Sequence, residues 1–265
     1  MIQKQYIPYA LCCLFFISIL VMFPAGALAH YASLTVDNYY PGPGEQITAT
    51  IGFGHSFPGD GKMRRAAYDH ASLISIGPDG NVTPIKVTPS EESGNLPIRI
   101  LFKEKGIHIL VLSLKNFSSK TTKGYKYQPK DELTNVLHSR WSETVSKAMI
   151  CVGNDQKMSQ GAGTNDRFQI LPMENPETVP AEGYLPVKVV FDGKPWRGLV
   201  HATYQGFSDH SDTFAYTTRT DKEGKAEIKM LKKGLWLIYA DHAYPYEDSA
   251  KADEYAFKTT LTLQY

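Results

Sequence analysis

LPVKVVFDGKPWRGLVHATY, at residues 185–204, consists of two runs of apolar and β-branched residues on either side of Asp192-Gly193. Asp-Gly favours the tight turns of β-hairpins, so this stretch predicts strands at 185–191 and 198–204 with a turn between them. Five further short strands are predicted around it, at 168–171, 213–219, 225–230, 234–240 and 255–264. Seven short strands within about 100 residues are typical of an immunoglobulin- or transthyretin-like β-sandwich.

The first half of the chain shows the same pattern of short strands and turns, with one exception. Residues 98–102 and 108–114 are predicted to pair with each other around Lys105-Gly106. Between 130 and 148, apolar residues recur three to four positions apart, which predicts one inserted helix; they are Leu133, Val136, Leu137, Trp141 and Val145. The other predicted strands of this half are 33–36, 46–53, 71–76, 82–87 and 149–152.

A polar stretch rich in Gly, Asn, Asp, Ser and Gln, at 153–166, divides the chain and predicts a linker. We therefore expect an all-β protein with two β-sandwich domains, at 30–155 and 166–265, of which the first contains the helix. Limited proteolysis is expected to cut first within the linker.

Composition excludes several functional classes. The chain has 265 residues, 42% of them hydrophobic, with 28 Lys and Arg against 27 Asp and Glu, for a net charge of +1. A nucleic-acid-binding protein normally has a basic surface that neutralises phosphates, and a membrane-surface protein a polybasic cluster. The balanced charge therefore argues against both classes of partner.

The first 29 residues match a secretory signal peptide. Lys4 precedes an apolar run at 10–23, and Ala27-Leu28-Ala29 supplies an Ala-x-Ala cleavage site. The run is too short to span a bilayer comfortably, since a spanning helix takes about 20 residues. We expect export to the periplasm, no membrane insertion after cleavage, and a mature chain that begins at His30.

No motif of a known enzyme class is present, so we expect a binding protein rather than an enzyme. Three histidines have settings that favour metal binding. A terminal His30 would offer its α-amine and its ring nitrogen to one ion, a chelate suited to Cu, Ni or Co. His55 lies among glycines at the end of a strand, and His242 ends another strand.

These three histidines are expected to converge at the interface between the two domains, a common place for ligand sites. His201 and His210 are the next candidates, on either side of a predicted loop. His70 is an intermediate case. His108 is interpreted as structural, and His138 as a solvated helix residue.

The chain resembles the exported domain-of-unknown-function 4198 proteins, which are described as periplasmic components of cobalt/nickel-type uptake systems. The resemblance implies two β-rich domains, a role in handling divalent transition metals, and a metal-binding set of His30, His55 and His242, but it does not fix the metal. We expect a periplasmic protein that binds Ni²⁺ or Co²⁺ and passes it to an inner-membrane importer. The resemblance depends on the order of several short motifs. These are His30 after the Ala-x-Ala site, Tyr40-Pro41-Gly42-Pro43-Gly44-Glu45, Gly54-His55-Ser56-Phe57, Gly106-Ile107-His108-Ile109-Leu110, the run 141–153, Phe191-Asp192-Gly193-Lys194-Pro195, the run 220–226, Gly234-Leu235-Trp236-Leu237, Asp241-His242, and Ala252-Asp253-Glu254-Tyr255 before the run 259–263.

Two other functions remain open at this point. A copper monooxygenase also begins with a metal-binding His and adds a second His to form a brace. A carbohydrate-binding or adhesion sandwich would leave all the histidines incidental. Cu²⁺ and Zn²⁺ are the alternative ions, because nitrogen ligands suit them as well.

Overall fold

The computed structural model describes residues 30–90, 94–153, 164 and 166–265. The described chain is almost entirely β-strand, with short 3-10 turns at Arg65–His70, Lys130–Glu132 and Pro176–Thr178. The strands are β1 (Tyr31–Val36), β2 (Gln46–Gly54), β3 (Ala71–Ile76), β4 (Val82–Ile85), β5 (Pro89–Ser90), β6 (Gly94–Asn95), β7 (Ile98–Leu101), β8 (Gly106–Thr121), β9 (Gly124–Lys126), β10 (Val136–Val152), β11 (Phe168–Pro172), β12 (Tyr184–Phe191), β13 (Lys194–Pro195), β14 (Leu199–Tyr204), β15 (Tyr216–Arg219), β16 (Lys225–Lys229), β17 (Leu235–Pro245) and β18 (Glu254–Gln264).

A nine-stranded sheet forms the centre of the fold, in the order β15-β14-β17-β18-β10-β8-β3-β4, with β9 paired to β8. Its strands pair antiparallel except at its middle, where β10 and the C-terminal strand β18 run parallel. Parallel neighbours need a long connection, which here is the whole chain between 152 and 254. The central sheet therefore joins strands from both ends of the sequence.

A smaller sheet packs on each face of the central sheet. Residues of β8 alternate between two apolar cores: Leu110 and Leu112 face a core with β1, β2 and β7, whereas Ile109 and Val111 face a core with β11, β12 and β16. Side chains on a strand alternate in this way, so a strand covered on both faces reads as a nearly continuous apolar run. The fold is thus an all-β sandwich of layers, which confirms the predicted fold class.

Strand β1 is held to the central sheet by side chains of β18. Its carbonyls at His30, Ala32 and Leu34 accept hydrogen bonds from the side chains of Lys258, Thr260 and Thr262, respectively. The Lys258 Nζ to His30 oxygen distance is 2.7 Å, and that from Thr260 Oγ1 to the Ala32 oxygen is 2.9 Å. On its other edge β1 pairs antiparallel with β2. The order along β1 and β18 is the same, so the start of β1 lies over Lys258.

The helix predicted at 130–148 is wrong. Only Lys130–Glu132 forms a 3-10 turn there, and Val136–Val152 is a 17-residue strand between β8 and β18. Leu137, Trp141 and Val145 are four positions apart, a spacing that places side chains on one side of a helix and also on one face of a strand. Hydrogen bonding to β8 on one side and β18 on the other stabilises the strand conformation.

The pairing predicted for 98–102 with 108–114 is also wrong, because β7 pairs with β2 and β8 pairs with β3 and β10. The strands predicted at 71–76 and 82–87 correspond to β3 and β4, which pair antiparallel with each other. Strands from both sides of residue 155 share the central sheet, and the division into two domains stays a prediction.

The signal segment 1–29 and most of the linker 153–166 lie outside the described residues. Within the described chain, no helix is long and apolar enough to cross a membrane.

The side chain of Lys147 is buried deep inside the fold. Lys147 of β10 is 1% exposed, and its Nζ donates a hydrogen bond to Gln169 Oε1 at 2.8 Å. Burial lowers the pKa of Lys147 to about 8, although the nearby Asp166 carboxylate acts in the opposite direction. The folded state therefore binds this proton less tightly than the unfolded state does.

We predict that Lys147→Met stabilises the protein at pH 7. Above pH 8 the folded wild type loses its Lys147 proton before the unfolded chain does, so wild-type stability rises with pH up to about 10.5. The methionine removes the cost of burying the charge, up to about 3 kcal/mol at pH 7 and close to zero above pH 10. Urea unfolding of both proteins at pH 7 and pH 10 measures the difference. A variant that is less stable than wild type at pH 7 would contradict the prediction.

Candidate functional site

Two of the predicted ligands, His30 and His55, are in direct contact. Their ring centroids are 4.2 Å apart, with the ring planes inclined at 49°. The His30 ring also stacks on Phe53, at 5.2 Å and 3° between planes. Because metal–imidazole bonds are about 2 Å long, rings this close can bind one ion together.

The antiparallel register of β1 and β2 produces this contact. Tyr31 lies opposite Gly54, so the residues that flank this pair, His30 and His55, meet just beyond the end of the ladder. Gly52 permits a tight return of the following loop, because a Cβ there would lie 1.8 Å from the Pro58 carbonyl oxygen. The absence of a side chain at Gly52 therefore allows the backbone of the loop after His55 to pack closely against β2.

His55 is held on three sides. Its backbone N–H donates to Asp60 Oδ1 at 3.0 Å, and its carbonyl accepts from the Asp212 N–H at 2.8 Å. Its ring Nδ1 lies 3.1 Å from Asp212 Oδ1. A carboxylate at Nδ1 favours the tautomer with its proton on that nitrogen, which leaves Nε2 as a lone-pair donor. Asp212 thus leaves Nε2 as the ring nitrogen of His55 that could bind a metal ion.

The surroundings favour a neutral His30 ring. Burial lowers the pKa of His30, and the positive charges that His55 and Lys258 can carry lower it further. Burial also lowers the pKa of Lys258 to about 7, with a smaller contribution from Arg140 in the same direction. A neutral imidazole is the form that binds a metal ion.

His242 does not join this pair, contrary to the predicted convergence. On β17 it lies opposite Phe257, on the face of the central sheet against which Phe191 of β12 and Trp196 pack; its ring is 5.0 Å from Phe191 and 6.0 Å from Trp196. The next residue of β18, Lys258, bonds to His30 on the other face. Side chains of successive strand residues point to opposite faces, so the sheet separates His242 from His30.

The other histidines lie apart from this pair. His201 Nδ1 is 2.9 Å from Thr217 Oγ1, and the ring stacks on Phe214 at 4.7 Å. His210 is exposed, and His70 lies 5.7 Å from the ring of Tyr127. His108 is buried against Phe102, in agreement with its structural interpretation, and His138 bonds to Glu254 on a strand instead of a helix.

A cavity of about 430 Å³ opens beside the two rings. Its floor is the polar half of the central sheet, and its walls come from the start of β1, the loop after β2, and the β9 hairpin. The polar and charged residues that line it are His30, His55, Asp60, Lys62, Arg64, Asn116, Ser118, Tyr125, Tyr127, Arg140, Ser142, Thr144 and Lys258.

The residues present fit a metal ion in one specific way. Among the described residues, no three His, Cys, Asp or Glu side chains form a group that could hold an ion. The pair of imidazoles supplies two nitrogen ligands, and a third would be the α-amine of His30 in a chain cleaved after Ala29. Because the third ligand would be a main-chain nitrogen, a site with three ligands would need only the two histidine side chains.

Sequence reasoning missed Asp212, Asp60 and Lys258. Asp212 lies 157 residues from His55, and nothing in the local sequence marks it as a partner. Lys258 did carry a signal, since it is the single charged side chain within the run Ala256-Phe257-Lys258-Thr259-Thr260-Leu261 of a buried strand. A lysine at such a position usually has a specific partner.

The comparisons with known proteins bear on the family alone. No curated protein matches the sequence. Among solved structures, the chain is similar to a DUF4785 family protein from Legionella pneumophila, with 9% sequence identity and a TM-score of 0.30. That match covers 89% of this chain and 56% of the other, so the chain spans little more than half of that protein's length. A family model described as Domain of unknown function (DUF4198) matches residues 27–244, most of the sequence. The chain therefore belongs to the DUF4198 family.

Proposed function

We propose that the chain is exported, begins at His30 after cleavage, and binds one divalent transition-metal ion in the periplasm for delivery to a membrane importer. The observation that supports this most strongly is the contact of the His30 and His55 rings at 4.2 Å. Together with the α-amine of His30, they offer three nitrogen ligands at the rim of an open cavity. The two residues are brought there from different strands, and His55 is oriented by a carboxylate as metal-binding imidazoles commonly are.

Ni²⁺ or Co²⁺ is the ion that we propose, in keeping with the family resemblance. Nitrogen ligands bind both ions well, and the same set binds Cu²⁺ more tightly by intrinsic affinity. Selection among these ions would then depend on supply and on the ligands that complete the coordination. When bound, the ion would supply a positive charge and open coordination positions toward the cavity.

The first prediction concerns the ligands. A chain that starts at His30 should bind Ni²⁺ or Co²⁺ at one site, and one extra residue before His30 should weaken binding at least about tenfold, because it converts the amine into an amide. His55→Ala should have a similar effect. His242→Ala is the matched control and should leave affinity unchanged, since its ring lies on the opposite face of the sheet. Isothermal titration of the four proteins tests this.

Equal affinity of the extended and native chains would contradict the terminal chelate. A loss of binding in His242→Ala equal to that in His55→Ala would contradict the two-histidine site. Thermal denaturation of each variant separates a lost ligand from a lost fold.

The second prediction concerns Asp212. Asp212→Asn should weaken metal binding about tenfold, because the amide no longer fixes the proton on Nδ1 of His55. Asparagine tolerates the left-handed backbone of this position, where φ is 55°, so the loop should keep its conformation. Asp209→Asn removes an exposed carboxylate from the same loop and serves as the control. Unchanged affinity in Asp212→Asn would mean that the ring of His55 is oriented without the charge.

The third prediction is a pH dependence. The α-amine must lose a proton to bind, and such groups titrate at about 7.7–8.0, whereas the pKa of the His30 ring is lowered below 6.5. The His30 ring faces His55, Lys258, Asp60 and Arg64. Affinity should therefore fall about tenfold per pH unit from about pH 7.7 downward, and more steeply once the His30 ring protonates. The extended chain should lack the first, amine-dependent decline in the same titration.

A second candidate function is a copper enzyme with a histidine brace. The cavity of about 430 Å³ beside the two rings favours it, because a reacting molecule would have room next to the ion. Copper-dependent oxidation of a polysaccharide by the copper-loaded protein is the discriminating assay. A product would establish this function, and its absence together with tight reversible Ni²⁺ or Co²⁺ binding would support delivery.

A further inference from the structure

The floor of the cavity is a grid of polar side chains on adjacent strands. Asn116 of β8 lies opposite Ser142 of β10, and Thr144 of β10 lies opposite Lys258 of β18. The same face of these strands is apolar further along, at Leu110 and Leu112 of β8 and Ala148, Ile150 and Val152 of β10. The change from apolar to polar side chains occurs where β1 and β2 end. Here the polar part of the face forms the floor of the cavity.

Two largely buried floor residues offer polar side chains to the cavity. Asn116 is 8% exposed and Thr144 is 9% exposed, and both line the cavity. Neither side chain forms a hydrogen bond with any residue in the described part of the chain. Because they line the cavity, water can satisfy the amide and the hydroxyl, and a ligand with hydrogen-bonding groups can replace that water.

The lining also holds more basic than acidic side chains. Lys62, Arg64, Arg140 and Lys258 line the cavity, against the single carboxylate of Asp60. Arg64 lies over the Tyr125 ring, 5.1 Å from its centroid, and Arg140 is 3.5 Å from Glu254. Guanidinium groups suit carboxylates because they can donate two parallel hydrogen bonds. The chain as a whole carries a net charge of only +1, so this concentration is local.

We propose that this cavity binds a small organic polycarboxylate that also carries a hydroxyl group, of which citrate is the simplest probe. The carboxylates would pair with Arg64 and Arg140, and the hydroxyl and remaining oxygens would satisfy Asn116 and Thr144. A volume of about 430 Å³ suits one such molecule, whereas a phosphate ion would leave most of it empty.

The ligand would lie next to the two histidine rings, which line the same cavity. Its oxygen atoms can complete the coordination of an ion held there, so the metal and the polycarboxylate would strengthen each other's binding by the same factor. This coupling rests on the proposed metal function, but binding of the polycarboxylate to metal-free protein does not.

The test is isothermal titration of metal-depleted protein that begins at His30, with citrate, tricarballylate and inorganic phosphate as three separate ligands. Citrate should bind at one site per chain, tricarballylate more weakly because it lacks the hydroxyl, and phosphate at least about tenfold more weakly than citrate. Arg140→Met and Asn116→Leu should each weaken citrate binding about tenfold or more. Arg99→Met removes an exposed cation outside the cavity, on β7, and should change affinity less than twofold.

Stability separates a binding role of Asn116 from a structural one. Asn116→Leu removes an amide that lines the cavity and makes no hydrogen bond to the described part of the chain, so citrate binding should fall while the melting temperature stays close to that of wild type. Thr144→Val provides a second, isosteric variant with the same expectation. No citrate binding, phosphate binding as tight as that of citrate, or unchanged citrate affinity in Arg140→Met and Asn116→Leu would overturn the proposal. Since these titrations contain no metal, a failure of the metal site would leave their result intact.

Discussion

The hydrogen bonds from three β18 side chains to the carbonyls of β1 are the contact on which the rest of the structure depends. Lys258, Thr260 and Thr262 donate to His30, Ala32 and Leu34, so one edge of β1 is satisfied by side chains in place of a neighbouring strand. An unpaired buried carbonyl would be costly, and this arrangement removes that cost for three of them. It also ties the first described strand to the last, and sets the position of His30 over the central sheet.

The two faces of the central sheet have different roles because successive side chains alternate between them. One face of β17 and β18 carries Asp241, Lys258 and the neighbourhood of His30, whereas the other carries His242 and Phe257 in an aromatic core. Asp241 and Lys258 face the side of the sheet on which His30 lies, whereas the next residue of β17, His242, faces the other side. The sheet therefore lies between His242 and the candidate site. The same alternation supplies a polar floor to the cavity, since Asn116 and Thr144 lie on the face that the β1-β2-β7 sheet covers, but beyond the end of that cover.

The candidate site combines segments that are distant in the chain. His30 directly precedes β1, His55 follows β2, and Asp212 comes from the loop between β14 and β15. Each is fixed by contacts outside its own segment: His30 by Lys258, and His55 by Asp60 and Asp212. Such support makes a preorganised site, which is what a pair of imidazoles requires if it is to bind an ion without rearrangement.

The sequence by itself determined the β-rich class, most strand positions, and the closeness of two of the three histidines that it marked. Alternation and turn residues are local signals, and they place β3 at Ala71–Ile76 and β18 at Glu254–Gln264 within a residue of the prediction. Only the tertiary structure decided that 136–152 is a strand, because Leu137, Trp141 and Val145 fit both periods and the choice comes from the strands β8 and β18 on either side. It alone decided that Asp212 and Lys258 support the site and that His242 does not join it. Strand pairing between distant segments, and the face to which each side chain then points, depend on contacts that no local pattern records.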